Sequence, residues 1–298
     1  MQDIIDSSLM KIKKYISDAN IEMDDQAKGL SVNISREFCD ELYNTYNHRE
    51  FISPDPLEFL WLYDDPLDRE IVGLLASALA YGRVAQINKS ISIVLAKMLP
   101  TPRAFIEGTS LEDLMALYGN FKHRFTTGNE LADFVLGIKR VILSYGSLQS
   151  CFMSFLESGH DSTFPALSGF VDELGHHFSH RYNSLLPQPE KKSACKRLHL
   201  FLRWMARRDD VDPGGWDGVS PALLIVPLDT HMYAICSHMG MTCRSQANMK
   251  TALEITESFR SIIPEDPVKY DFALTRLGIH PDADSSCLGK KYAQISNY

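Results

Sequence analysis

Ten stretches of this chain carry apolar residues at i, i+3, i+4 spacing, and that helical period constrains the fold more than any other feature. They are Met10–Asp18, Ser35–Tyr46, Leu67–Tyr81, Val84–Met98, Leu111–Tyr118, Asn129–Leu143, Phe164–Phe178, Ala194–Arg207, Thr230–Met239 and Asn248–Ile262. Alternation of period two, which a half-buried strand requires, is nearly absent, and the apolar run Ala222–Val226 is the one strand-like segment. Pro- and Gly-bearing stretches such as Asp64–Pro66, Pro100–Pro102, Asp212–Pro221 and Pro264–Pro267 punctuate the helices. The expected fold class is all-α. No linker of flexible composition divides the 298 residues, which predicts one compact helical unit, 1–298, built as two lobes with a cleft between them. The most linker-like point is Leu185–Lys192.

Six cysteines at 39, 151, 195, 236, 243 and 287 form no C-x-x-C pair and no four-thiol cluster, so no structural metal, iron–sulfur cluster or other cofactor is expected. Sparse thiols and an N-terminus without an apolar core predict a soluble, cytoplasmic protein. No apolar run is long enough to cross a bilayer, so no membrane partner is expected.

The net charge of −8 argues against nucleic-acid binding by the average surface, but charge is unevenly placed. From Lys191 to Arg208 there are seven basic residues and no acidic one. At about 100° per residue, Lys192, Lys196, Arg203 and Arg207 share a stripe, with Leu198, Phe201, Leu202 and Met205 opposite. The run reads in two ways. It is a solvated face balanced by Asp209, Asp210, Asp212 and Asp217, or a surface on which Lys191, Lys192, Arg197, Arg203 and Arg207 meet phosphates.

Downstream, Pro227 and an apolar run lead into a helix with Asp229 or Thr230 at its N-cap. Met232, Ile235, Cys236 and Met239 form its buried face, and Gly240 supplies the C′ position. Asp229 reads either as that helix's cap or as a carboxylate with chemistry to do.

The segment from Val226, V-P-L-D-T-H-M, followed by a helix ending H-M-G-M at Met241, resembles the V-P-V-D-T-H-V…R-L-G-L segment of the helix-hairpin-helix DNA glycosylase superfamily. That superfamily includes endonuclease III, adenine glycosylase and 8-oxoguanine glycosylase relatives. Ile71–Ile87 is similar to its early helix and turn, and Asp266–Gly278 to its late helix. The chain as a whole also resembles a bacterial family of similar length that brings no activity with it. The superfamily resemblance implies a two-lobed helical enzyme that extrudes a damaged base from duplex DNA and cleaves its N-glycosidic bond. Its essential aspartate falls on Asp229, which would stabilise positive charge developing on the sugar, and a helix N-terminus favours the ionised carboxylate. Its catalytic lysine falls on Lys196, whose amine would attack C1′; an amine attacks only when neutral, which burial or a neighbouring cation favours.

The chain departs from this pattern in four ways, one of which is the absence of its late cysteine cluster. Ser193-Ala-Cys-Lys-Arg stands in place of the glycine-bearing hairpin, Ala80-Tyr-Gly82 stands in place of the Gln-Gln-Thr turn, and Asp209–Pro221 reads as an insertion. Tyr81, Trp204, Trp216 and Tyr233 are the aromatics available to stack on an extruded base or wedge the duplex, and each also reads as core. Arg83, between two helices, reads as a contact to the opposite strand or as a helix cap.

Two other functions fit the residues. A binder of structured nucleic acid on the same scaffold would lack catalysis. A metal-dependent His-Asp phosphohydrolase would use His160-Asp161 with His123 and Asp229, or the His176, His177, His180 cluster with Glu173.

Overall fold

The computed structural model describes Met10 and residues 35–176, 178, 183–191 and 193–279. The predicted first helix, apart from Met10, lies outside these residues, as do Lys192, His177 and His180. Among the described residues the fold is all-α apart from one short hairpin. The chain divides into two compact units: Ile52–Ile225, and a second formed from the described parts of Met1–Phe51 and Val226–Tyr298. The linker-like Leu185–Lys191 lies inside the first unit. Its prolines close a 3-10 turn at Pro189–Lys191, and Leu185 and Leu186 are buried.

The first unit is organised around α2 (Pro66–Leu79), preceded by a 3-10 helix at Pro56–Leu62. Asp65 caps α2 by accepting the Leu67 N–H at 2.9 Å, and Pro66 needs no partner in the first turn. From Asp68 to Leu79 every residue is buried, the pattern of a helix surrounded by protein. It packs against α3 (Val84–Leu95), α4 (Pro102–Gly108), α7 (Leu148–Ser154) and α9 (Lys196–Ala206). The long α6 (Gly128–Tyr145) starts in a reciprocal capping box between Thr127 and Glu130. It packs on α5 (Leu111–Tyr118) and α8 (Phe164–Gly175). A Cβ at Gly137 would run into the Leu174 carbonyl, so glycine sets how closely α6 and α8 approach.

Ala222–Val226 is not a strand. Ser220 caps a 3-10 turn at Pro221–Leu223, and Leu224–Val226 continue as buried irregular backbone. The sheet instead joins β1 (Lys122–His123) to β2 (Thr126–Thr127), with Lys122 opposite Thr127 and His123 opposite Thr126.

The second unit contains α1 (Arg36–Tyr46), α10 (Thr230–His238), α11 (Met249–Ile262) and α12 (Asp271–Ile279). α12 packs on both α1 and α10. Asp40 on α1 accepts from Lys269 at 2.8 Å and Tyr270 at 2.9 Å, which fixes the segment entering α12.

Candidate nucleic-acid interface

The basic helix has the predicted register but not the predicted face. Leu198, Phe201, Leu202 and Met205 are buried as expected, yet Arg203 and Arg207 are buried with them. Asp212, 0% exposed, lies between the two guanidiniums. Its Oδ1 accepts from Arg203 at 3.2 and 3.1 Å, and its Oδ2 accepts from Arg207, which also pairs with Asp209 at 2.8 Å. Asp209 in turn accepts the N–H groups of Val211 and Asp212. The Asp209–Pro221 stretch therefore folds back over the end of α9, where Gly214 and Trp216 donate to the Trp204 and Met205 carbonyls. Gly214, with φ 66°, makes the left-handed turn that this return requires. Expected phosphate contacts at Arg203 and Arg207 are thus corrected to internal ion pairs.

Two stacking candidates are also corrected. Trp204 is buried in α9, and Trp216 is enclosed by Phe152, Phe170 and Phe201 with ring centroids 5.5, 6.3 and 4.9 Å away. The Trp216 indole N–H donates to Glu70 at 2.9 Å, beside the N–H groups of Leu148 and Gln149 at 2.8 and 3.0 Å. Burial raises the Glu70 pKa, against these three donors. Glu70 thus caps α7 from a neighbouring helix, and nothing in the sequence near it announces that role.

The start of α9 is different. Cys195, just before Lys196, has φ 44° and ψ 35°, a left-handed conformation that favours glycine. Lys196 is half-buried and Lys191 exposed. The Arg197 guanidinium donates to the carbonyls of Ala78 and, at 2.7 Å, Ser184, and stands 5.0 Å over the Tyr81 ring. It ties the start of α9 to the last turn of α2, so Arg197 has a structural task.

Tyr81 is half-buried in the same cluster. Its hydroxyl donates to the His123 carbonyl at 3.0 Å and is bonded to Thr126, and burial raises its pKa. His123 is bonded through Nδ1 to Ser90 at 2.9 Å and through Nε2 to the Tyr81 carbonyl at 3.0 Å. Burial lowers the His123 pKa, and neither ring nitrogen is left for a metal. Burial also opposes charge on Glu130, yet the Ser184 and Thr127 N–H groups at 3.0 and 2.9 Å hold its pKa below the usual carboxylate range.

On this base stands a feature that the periodicity did not reveal. The two-residue loop between β1 and β2 consists of Arg124, with φ 55°, and Phe125, which is 60% exposed. The Phe125 ring stacks on Tyr81 at 4.9 Å and 21°. Lys122, Arg124 and Arg83 are exposed around it, and Arg124 lies against Gly82. Arg83 is the N-cap residue of α3 but makes no side-chain cap bond. The local signal was the interleaving of basic and aromatic residues in Phe121-Lys-His-Arg-Phe125.

In the second unit, Asp229 is half-buried at the N-cap of α10, accepting the Met232 N–H at 2.7 Å while its carbonyl accepts from Tyr233 at 2.8 Å. Val226 is anchored by its N–H to Thr256 at 3.0 Å. Met232, Ile235, Cys236 and Met239 are buried as predicted. The helix ends with Gly240 at φ 71° and the Met241 N–H on the Cys236 carbonyl at 2.9 Å, a Schellman closure. Tyr233 is half-buried and donates to the Arg244 carbonyl at 2.6 Å. The site thus offers one half-buried carboxylate at the start of a helix that buries one face.

No group of three or more potential metal ligands occurs among the described residues, and His160 accepts the Glu157 N–H in its own loop. No helix among them is long and apolar enough to cross a membrane. No curated protein and no solved structure matches the chain. The profile of DUF2400, a protein family of unknown function, matches residues 55–280, and the chain belongs to that family.

Proposed function

We propose that this protein is a DNA glycosylase of the cytoplasm, built on a two-lobed helical scaffold, that releases a damaged base from duplex DNA. The observation that carries this reading is Asp229: a half-buried carboxylate at the start of a short helix, held by the Met232 N–H and preceded by the buried Val226-Pro-Leu segment. Cleavage of an N-glycosidic bond develops positive charge on the sugar, and a fixed carboxylate stabilises that charge more than it stabilises the neutral ground state. Lys196 is the proposed nucleophile of a coupled lyase step. Its amine bonds to C1′ as the base leaves with the bonding electron pair, and proton loss with ring opening gives a Schiff base. The left-handed Cys195 supports this placement, because that conformation favours glycine and the resembled motif carries glycines there.

A non-catalytic nucleic-acid binder is the second reading, favoured by Ser193-Ala-Cys-Lys-Arg in place of the glycine-bearing hairpin and Ala80-Tyr-Gly82 in place of the Gln-Gln-Thr turn. Duplexes carrying oxidised, alkylated or deaminated bases, incubated with the protein and borohydride, separate the two. The proposal expects a covalent adduct with at least one lesion, lost in Lys196→Gln. Base release without any adduct would remove Lys196 from the mechanism. Salt-dependent binding with no release from any lesion would favour the binder.

A further inference from the structure

We propose that the β1–β2 hairpin is a wedge for nucleic acid, with Phe125 inserted into the base stack and Arg83, Lys122 and Arg124 on the flanking phosphates; this rests on the nucleic-acid reading above. A phenylalanine 60% exposed at a hairpin tip costs solvation free energy, and nothing among the described residues covers it fully. Its position is nevertheless rigidly determined. Tyr81 stacks beneath it, and Tyr81 is itself held by His123, Thr126 and the Arg197 guanidinium. The adjoining Arg124 adopts a left-handed conformation that non-glycine residues hold uncommonly, which sets the tight two-residue loop.

The charge around the ring selects the occupant. In a chain of net charge −8, the exposed residues of the 81–84 turn and the 122–125 hairpin include three cations and no acid. The side chains of Arg83, Lys122 and Arg124 form no hydrogen bond or ion pair among the described residues, so all three are available to an anion. An apolar protein groove would match the ring but not three unpaired cations. A polyanion carrying flat π-faces matches both, which is the combination that nucleic acid presents. The aromatic tip supplies the wedge that opens a base step, and the cations hold the strand on either side.

A short duplex with 2-aminopurine beside a mismatch tests this, because the probe brightens when it is unstacked. Wild-type protein is expected to bind with a rise in fluorescence. Phe125→Ala is expected to bind roughly five- to a hundredfold more weakly with no rise, and Phe125→Trp to restore binding. Since Phe125 is exposed, Phe125→Ala should melt with the wild-type protein. The triple variant Arg83→Ala, Lys122→Ala, Arg124→Ala should lower the slope of log affinity against log salt by about 2 to 3. If wild type binds and Phe125→Ala matches it in affinity and fluorescence, the wedge is wrong while the nucleic-acid reading stands. If wild type binds no duplex at all, both fall. Loss of self-association in Phe125→Ala, with nucleic-acid binding intact, would make the tip a protein contact and overturn the proposal.

Discussion

Arg203 and Arg207 lie on the stripe that helical geometry assigns them, and the direction of their charge was settled by a residue outside the helix. Asp212 reaches back nine and five positions to them, and at 0% exposure it leaves neither charge for solvent. Truncating one partner of a buried ion cluster strands the other charges, so Asp212→Ala should destabilise the protein by about 3–5 kcal/mol, read as a lowered urea midpoint. A midpoint shift within about 0.5 kcal/mol would mean that the arginines are solvated after all. His199, on the same helix, is buried with neither ring nitrogen bonded. Burial lowers its pKa to about 4, below the ordinary histidine value of 6.5. The unfolded state therefore takes up the proton first as pH falls. Stability contributed by neutral His199 is fully present above pH 6.5 and is lost progressively towards pH 4, by an amount on the order of 3 kcal/mol. His199→Leu should flatten that part of the pH–stability curve; an unchanged acid limb would assign it to other groups.

Among elements, long amphipathic helices were legible because burial on one face imposes the period directly. The predicted Leu111–Tyr118 matches α5 residue for residue, and Ala194–Arg207 contains α9. Short elements were not legible. α4 and α7 have seven residues each, too few to show a repeated face, and are specified by caps at Thr101 and Ser147. The hairpin has two residues per strand, so no alternation exists to be seen, and its shape depends on Tyr81 some forty positions away. Conversely, the apolar Ala222–Val226 run is not a strand, because Pro221 and the Ser220 cap turn its start and only Leu224–Val226 are buried. Glu70 shows the same non-local logic, receiving α7's first N–H groups across seventy-eight positions. Glu70→Gln exchanges one acceptor oxygen for a donor facing these N–H groups. It should cost about 1–3 kcal/mol, visible as a fall in melting temperature; unchanged melting would show that Ser147 suffices as the cap.

For the whole molecule, the net charge of −8 hides an uneven placement of cations: Arg203 and Arg207 are closed within internal pairs, while Arg83, Lys122 and Arg124 stand exposed on one turn and hairpin. The sequence located the charge-rich helix, while only the fold distinguishes which of its charges face outward. Family membership over residues 55–280 leaves activity to be argued from the site, and that argument turns on Asp229. Asparagine is as good an N-cap as aspartate, so Asp229→Asn keeps the Met232 bond and the fold while removing the charge. The deciding measurement is the single-turnover rate of base release by wild type and by Asp229→Asn, on whichever lesion duplex the wild type processes. A loss of about a hundredfold or more, with melting temperature and duplex affinity unchanged, is the predicted result. Release at the wild-type rate would make Asp229 only a helix cap and contradict the proposed mechanism.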